Sequence, residues 1–301
     1  MYRRLLFVLT LFLVLAVPHL DARAEEVRIA TFNVYWLFDD QPPHLNWHDQ
    51  RELRSYDQAL TFVAEAAKRI DADVIALQEI EGPHIIEALN AKLGDKAYPY
   101  AWAGAGTDPF TGQDVAILSR YPNVTEPVRQ YSALTETYTD FYGSEKVAAL
   151  QKILRVSLEI ARTPVTFFAV HLKSKRGAGE SGGERLAQAK ILRRLIRPVI
   201  DKQAHIVVLG DFNDEKESPP LGEILGRNDP GFDLSETAQH HAFKKDGGIV
   251  WTHEYGGEKS QLDHILVNRK LYHSITAGEV IRFDKSVSDH GAVAVTFDIK
   301  P

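Results

Sequence analysis

Eight side chains are spread along 301 residues in a pattern that invites chemistry: Asn33 in TFNVYW, Glu79 in LQEI, His171 in HLKS, Asp211 and Asn213 in GDFND, Asp263 in LDHILV, and Asp289 with His290 in SDHGAV. Taken singly they are ordinary. Asn33 reads equally as a turn residue, Glu79 as a surface or capping carboxylate, GDFND as a turn, and each histidine as a satisfied structural group. Taken as an ordered set they supply what cleavage of a phosphate ester requires. A hard divalent ion wants oxygen ligands, and Glu79, with Asn33 and Asp289 near it, offers them. Such an ion polarises a phosphoryl oxygen and offsets charge on the leaving oxygen. Asp211 is suited to take a proton from attacking water, and Asn213 to hydrogen-bond that water or a phosphate oxygen. A carboxylate beside His290 would hold it as the imidazolium, which binds an anionic phosphate. His171 is a second donor or acid from the other side. Magnesium is the ion expected of an all-oxygen set; manganese fits the same ligands, and calcium is compatible with them.

These residues sit at the ends of short apolar runs. Strand-length segments bounded by Gly, Pro, Asp or Asn recur at 27–34, 73–80, 114–120, 152–160, 164–172, 205–212, 262–268 and 291–299. Asn33, Glu79, His171 and Asp211 close their runs, Asp263 opens one, and Asp289-His290 precede the last. Helical periodicity appears at 53–69, through Leu60, Val63, Ala64 and Ala67, and at 184–197, through Leu186, Ala189, Leu192, Leu195 and Ile196. A shorter helix is expected over 83–93. The runs 152–160 and 164–172 read as a hairpin turning near Arg162-Thr163-Pro164. Helices after the early strands and a hairpin in the middle predict sheets packed face to face with helices outside, rather than a doubly wound sheet.

Residues 1–24 are expected to be removed. Tyr2-Arg3-Arg4 is a positive n-region, Leu5 to Val17 is apolar apart from Thr10, and Ala22-Arg23-Ala24 is a cleavage signal, the pattern of a secretory signal peptide. The protein is therefore expected to be secreted or periplasmic. Losing three arginines and one aspartate takes the net charge from −6 to −8. An acidic chain offers no global field to a polyanion, so a phosphate substrate must be held by local charge or metal. The absence of cysteine excludes disulfides and thiolate metal sites, leaving stability to the core. No linker or composition break divides 25–301, so one domain is expected, with no protein partner evident and a monomer as the default.

The motifs TFNVYW, LQEI, AILSR, HLKS, GDFND, LDHILV and SDHGAV, in this order from about Val27 to Phe297, resemble the endonuclease/exonuclease/phosphatase superfamily, which includes deoxyribonuclease I and exonuclease III, in an exported, bacterial-type form. The resemblance implies a four-layer α/β sandwich, two mixed β-sheets packed face to face and flanked by helices. It implies that Asn33 and Glu79 belong to the metal site. His171 matches the catalytic histidine of deoxyribonuclease-like members, and Asp211 and Asn213 the GDFN pair. Asp289 and His290 match the terminal SDH, with Asp263 orienting that histidine. Asp114, or Asp108 in competition with it, resembles the acid partner of His171. Lys152 lies where related enzymes place a phosphate-contacting base. The function implied is a divalent-metal-dependent phosphodiesterase, a nuclease acting on DNA or RNA, with a phosphoinositide phosphatase or sphingomyelinase-like lipid phosphodiesterase as the alternative.

Residues 177–183, GAGESGG, fit two other motifs. A serine elbow needs a strand running straight into Gly179, and a dinucleotide cradle needs one running into Gly177. Lys173 to Gly177 intervene after Leu172, so neither context exists. The stretch reads as a glycine-rich loop carrying Lys173, Lys175, Arg176 and Arg185 beside His171, a local basic cluster for a phosphate backbone, with a plain solvated loop as the competing reading. The segment 131–143, with Tyr131, Tyr138, Phe141 and Tyr142, is expected to lie beside the site and stack on bases or pack; as an exposed aromatic hairpin it would instead favour the lipid alternative. A catalytically silent binding protein is disfavoured because all eight site residues are present.

Overall fold

The computed structural model describes residues 24–39, 55–106, 108–129, 131, 133–175, 181–200, 202 and 204–301. The signal-peptide expectation and Arg176 to Glu180 of the glycine-rich loop therefore lie outside the described residues. In chain order the elements are β1 (Glu25–Leu37), α1 (Tyr56–Ile70), β2 (Val74–Ile80), α2 (Pro83–Leu93), β3 (Tyr100–Ala103), β4 (Asp114–Ser119), β5 (Thr135–Thr139), β6 (Glu145–Ala149), β7 (Ile153–Ile160) and β8 (Thr163–His171). They continue with α3 (Ser181–Ile200), β9 (His205–Asp211), α4 (Pro219–Leu225), β10 (Leu234–Glu236), β11 (His253–Tyr255), β12 (Glu258–Ser260), β13 (Asp263–Asn268), α5 (Arg269–Tyr272), β14 (Ile275–Ile281) and β15 (Ala292–Ile299).

Two mixed sheets stack face to face. The first runs β14-β15-β1-β2-β4-β3 and the second β10-β13-β9-β8-β7; β1 with β2 and β8 with β9 are the parallel pairs. Strand alternation sorts the apolar residues into three layers. Ile29, Val74, Ala76, Phe167, Val207, Leu209, Ile265 and Val267 fill the space between the sheets. Ala30, Phe32, Ile75 and Leu77 face the other way, onto Leu60, Val63 and Ala67 of α1 and Ile85 and Leu89 of α2. Phe168, Val170, Val208 and Leu266 pack on Ile191, Leu192 and Ile196 of α3. This is the four-layer α/β sandwich expected from the sequence.

Local signals account for the element ends. Ser55 and Gln58 form a capping box at the start of α1, and Asp71 closes it in the left-handed region. The β7–β8 hairpin turns through Ala161 and Arg162, both at positive φ (49° and 61°), the twist a two-residue antiparallel connection needs. Strands β3, β5, β6, β10, β11 and β12 are five residues or shorter, and β14 (ITAGEVI) is interrupted by Gly278 and Glu279; without a long apolar run, each owes its form to the neighbour that pairs with it. Helix α3 begins at Ser181, three residues before the expected Glu184, so Ser181 starts a helix rather than crowning a strand.

One backbone approach sets the register beneath the site. Gly210 lies at φ 145°, and a Cβ there would stand 1.9 Å from the Val170 carbonyl oxygen. Replacing it with Ala must separate β8 from β9. Gly210→Ala is expected to cost about 3 kcal/mol or more of stability, in the range of overpacked and strained sites, as measured by urea unfolding. A stability equal to the parent would contradict this close approach.

Candidate active site

Where the apolar column between the sheets ends, polar residues continue the same alternation. Val27, Ile29, Thr31 and Asn33 lie on one face of β1; Val165, Phe167, Ala169 and His171 on one face of β8; Val207, Leu209 and Asp211 on one face of β9; Asp263, Ile265 and Val267 on one face of β13. The ladder pairs His171 with Asp211, and Asp211 with Asp263, so the three stand in a row across adjacent strands. One step deeper, Thr31 Oγ1 donates to Gln78 Oε1 at 3.1 Å, bridging polar edge and apolar core.

Glu79 reaches this face by breaking the alternation. Its φ is 64°, and the pairing of β2 with β4 shifts register between Gln78 and Ile80. The facing stretch of β1 shifts too, with Tyr35 and Trp36 at φ 54° and 52°. The two bulges lock together: Trp36 N–H donates to Glu79 Oε2 at 3.0 Å, and Tyr35 N–H to Asn33 Oδ1 at 3.0 Å. Bulges that re-aim a side chain beside a site are a known use of such backbone strain.

Asn33 is buried, and its Nδ2 donates to Glu79 Oε1 (3.2 Å) and to Asp211 Oδ2 (3.0 Å). Asn33 thus brackets two carboxylates, and its oxygen, which accepts Tyr35 N–H, keeps a second lone pair for the ligand role expected of it. Asp211 Oδ2 lies 3.7 Å from His171 Nε2 and 3.9 Å from His290 Nε2. His171 Nε2 is also 3.9 Å from Glu79 Oε1. His290 Nδ1 meets Asp263 Oδ2 at 2.7 Å, the orienting contact expected. Ser288 ties this segment to β1, its Oγ donating to Asn33 O at 2.7 Å and accepting His290 N–H at 3.0 Å.

Burial and neighbouring charge divide the two histidines. His171 is held well below the usual imidazole value by burial and by the positive charges of Lys152 and His290, so it is neutral at neutral pH. Burial opposes the charge on His290 too, but the carboxylates of Asp263 and Asp211, the hydrogen bond to Asp263 and the charge of Asp289 raise it well above the usual value. Burial raises Asp211, aided by Asp263 and opposed by His290 and the bonds from Asn213 and Asn33. Burial and the charge of Asp289 raise Glu79, against His290, Asn33 and Lys152.

Several expectations change. Asn213, at φ 51°, gives one Nδ2 hydrogen to the Leu172 carbonyl (3.0 Å) and its backbone N–H to Asp211 Oδ1 (2.8 Å), so it closes the turn and aims Asp211 while a second amide hydrogen remains for water or phosphate. Asp114 does not partner His171: its oxygens accept Gly106 and Val115 N–H at 2.7 and 2.8 Å, and burial pushes it up to about 6. Asp108 pairs with Lys152 (3.5 Å), which also donates to Gln113 Oε1 (3.2 Å). His171 Nδ1 is buried with no hydrogen-bond partner among the described residues. Of the basic cluster, Arg185 is buried and spent on Asp214 Oδ2 (2.9 Å) and the Lys173 carbonyl (3.1 Å), while Lys175 pairs with Asp214 Oδ1 at 3.3 Å. The Lys173 ammonium lies 5.7 Å from the Phe110 ring centre, and Phe110 is 70% exposed.

Two further histidines stand around the site. His264, pointing away from Asp263 into the β9–α3 side, is a buried cation on Glu236 (2.5 Å) that donates to the Asp214 carbonyl (2.9 Å), propping the GDFND turn. His253 opens β11 and stands beside His290, with ring centres 4.8 Å apart. His264 lies inside the run 262–268 but on the face turned from the site, and His253 lies outside any apolar run, so position along the chain marks neither. The hairpin β5–β6 carries Phe141 and Tyr142 at its tip, 71% and 77% exposed, and Tyr131 packs against the α3 core.

A family model described as Endonuclease/Exonuclease/phosphatase family matches residues 30–290. Among solved structures, an endonuclease/exonuclease/phosphatase family protein from Bacteroides thetaiotaomicron is 15% identical, with TM-score 0.62 over 92% of this chain and 100% of that one. A beta toxin variant from Staphylococcus aureus with bound magnesium ions is 16% identical, with TM-score 0.60 over 91% and 100%. The human nocturnin catalytic domain with bound sulfate is 15% identical, with TM-score 0.60 over 92% and 98%. No curated protein sequence matches. At these identities the likeness is one of fold.

The Asp263–His290 contact has a signed consequence. Because carboxylates raise His290, its contribution to stability is fully present below the ordinary imidazole value and fades as pH rises through the raised one. In Asp263→Asn the His290 ring is expected to titrate at lower pH than in the parent, as followed by NMR. An unmoved titration would remove the orienting and charge-stabilising role of Asp263.

Proposed function

The chain belongs to the endonuclease/exonuclease/phosphatase family, and from that premise we propose that it is an exported, divalent-metal-dependent phosphodiesterase that cleaves DNA or RNA by attack of water. Members of this family are phosphoric ester hydrolases. The observation that carries the reading is Asp211 set between a neutral and a protonated imidazole, with Glu79 opposite. Its two histidines are pushed apart by their surroundings, the usual mark of divided acid and base roles.

The residues fit a hard divalent ion. Glu79 is a buried carboxylate whose charge is opposed by burial and by Asp289, and a dication between the two relieves both. Glu79 and Asp289 would hold it; the magnesium bound in the beta toxin variant supports magnesium here. When bound, the ion supplies Lewis-acid polarisation of a phosphoryl oxygen. The chain's own groups do the rest. Asp211, raised by burial and aimed by Asn33 and the Asn213 amide, takes the proton of the attacking water. His290, protonated on Nε2 and anchored through Nδ1, donates to the phosphate and offsets the charge that grows on it. Neutral His171 offers Nε2 as a hydrogen-bonding group from the other side.

Nucleic acid is favoured as substrate by the rim beside His171. Lys173 puts positive charge at this edge of an acidic chain, exposed Phe110 under it offers a face for a base, and Lys152 adds its charge when it leaves Asp108 for a phosphate. Lys175 joins them when it leaves Asp214 for a phosphate. The lipid reading keeps one observation of its own, the exposed Phe141 and Tyr142 at the tip of the β5–β6 hairpin. The apolar leader with its cleavage signal supports export to the periplasm or beyond.

The purified protein with supercoiled plasmid and magnesium or manganese tests the proposal. Nicking is expected, and EDTA or the Asp211→Ala/His290→Ala pair should abolish it. Intact plasmid from folded protein would turn the reading to phospholipids, checked by sphingomyelin and phosphoinositide hydrolysis on liposomes. In Lys175→Ala/Arg176→Ala a KM raised several-fold is expected at low salt; an unchanged KM would remove these residues from the phosphate contact.

A further inference from the structure

His253 reaches the active centre through the backbone that also holds His290 and Asp263. It is bridged to His290 as an isolated β-pair. Thr252, just before it, accepts Gly291 N–H on its carbonyl (2.6 Å) and receives the N–H groups of Leu262 and Asp263 on Oγ1 (3.0 and 3.2 Å). The imidazole is thereby delivered with Nε2 3.8 Å from Asp289 Oδ2, its side chain 16% exposed. One ligand atom from each of His253, Asp289 and His290 lies within 4.8 Å of the others.

Two imidazole nitrogens and one carboxylate are not what a hard ion prefers. They are a set for zinc, which takes nitrogen at about 2.0–2.1 Å and oxygen at about 2.0–2.2 Å, with a fourth position left to water or substrate. Tetrahedral bonds of that length place donor atoms about 3.4 Å apart. The 3.8 Å between His253 and Asp289 is close to this, and the three donors all lie within 4.8 Å of one another. A second feature points the same way. His290 gives Nδ1–H to Asp263, which fixes the tautomer that leaves Nε2 as ligand, the carboxylate–histidine–metal arrangement of ordinary zinc sites.

We propose that His253, Asp289 and His290 form a binding site for zinc or a similar borderline divalent ion, different in donor chemistry from the oxygen position at Glu79. Occupancy replaces the Nε2 proton of His290, which leaves to solvent, and so removes the cationic donor that hydrolysis uses. It also draws Asp289 away from the hard ion. Zinc is therefore an inhibitor of the magnesium-supported reaction. The site stands whichever ester is cleaved; only the inhibition rests on the role given to His290 above.

The test is a titration of the protein with cobalt(II) in excess magnesium, without substrate, followed by displacement with zinc. Visible d–d bands of a low-coordinate ion with nitrogen ligands, saturating at a single equivalent and lost to zinc, are expected. His253→Phe should weaken cobalt binding about 100-fold or more, and Asp263→Asn, which alters only the supporting carboxylate, about 10–100-fold. His84→Gln should leave it unchanged; this variant controls for a separate cluster, where His84 Nε2 lies 3.3 Å from Asp39 and 3.6 Å from Glu81. Binding retained by His253→Phe, or lost in His84→Gln, would overturn the proposal, as would no bands in the parent. In the plasmid assay, zinc should inhibit the parent and lose that effect in His253→Phe, each judged against its own zinc-free rate. Cobalt bound by a protein that nicks no plasmid supports the site and counts against the nuclease reading. Nicking without cobalt at His253 does the reverse.

Discussion

Asp211 is hydrogen-bonded by its backbone into two ladders at once, with His171 as its partner on β8 and Asp263 on β13. Neighbouring strands lie about 4.8 Å apart, so three ionisable side chains on one face are held at nearly contact spacing by main-chain bonds alone. The rest of the site adapts to that row. Gly210 gives the approach that keeps β8 and β9 in register, Asn213 and Asn33 aim the Asp211 carboxylate, and Asp263 carries His290 across to it.

Crowded carboxylates in a buried place repel one another, and the arrangement manages this by unequal protonation. Glu79 and Asp211 are both raised, His290 is held as the cation among Asp263, Asp211 and Asp289, and His171, facing Lys152 and His290, is held neutral. One cleft thus contains a proton acceptor, a fixed proton donor and a neutral imidazole without any exotic residue. The negative charge of Glu79 and Asp289 is what the proposed divalent ion would offset, and the proposed site at His253 would share part of the same field.

The scaffold separates chemistry from recognition. The groups of the candidate site ride on strand ends whose positions follow from two packed sheets. The surfaces that would select a substrate are the segment around Phe110, the Lys173–Lys175 segment and the β5–β6 hairpin. Loops and hairpins carry few constraints from the core, which is why one fold serves different phosphate esters. Arg185 marks the boundary: it looks like a substrate-facing cation in the sequence, yet burial and Asp214 make it a prop for the loop.

By itself the sequence determined the long strands, the three main helices and the residue types of the site, because apolar alternation over seven or more residues and motifs at strand ends are local signals. It also determined which way Asn33, His171, Asp211 and Asp263 point, since each continues the period-two face of its strand. What only the tertiary structure decided depends on contact between distant segments. Glu79 joins the row through paired bulges that no local pattern announces. The short strands exist because a neighbour pairs with them. Asn33 and Asn213 turned out to aim carboxylates, Asp114 and Asp108 found partners other than His171, and His253 came to lie against His290. Each of these is set by which groups compete for a hydrogen bond once the two sheets close over them, and that competition has no record in the order of residues along the chain.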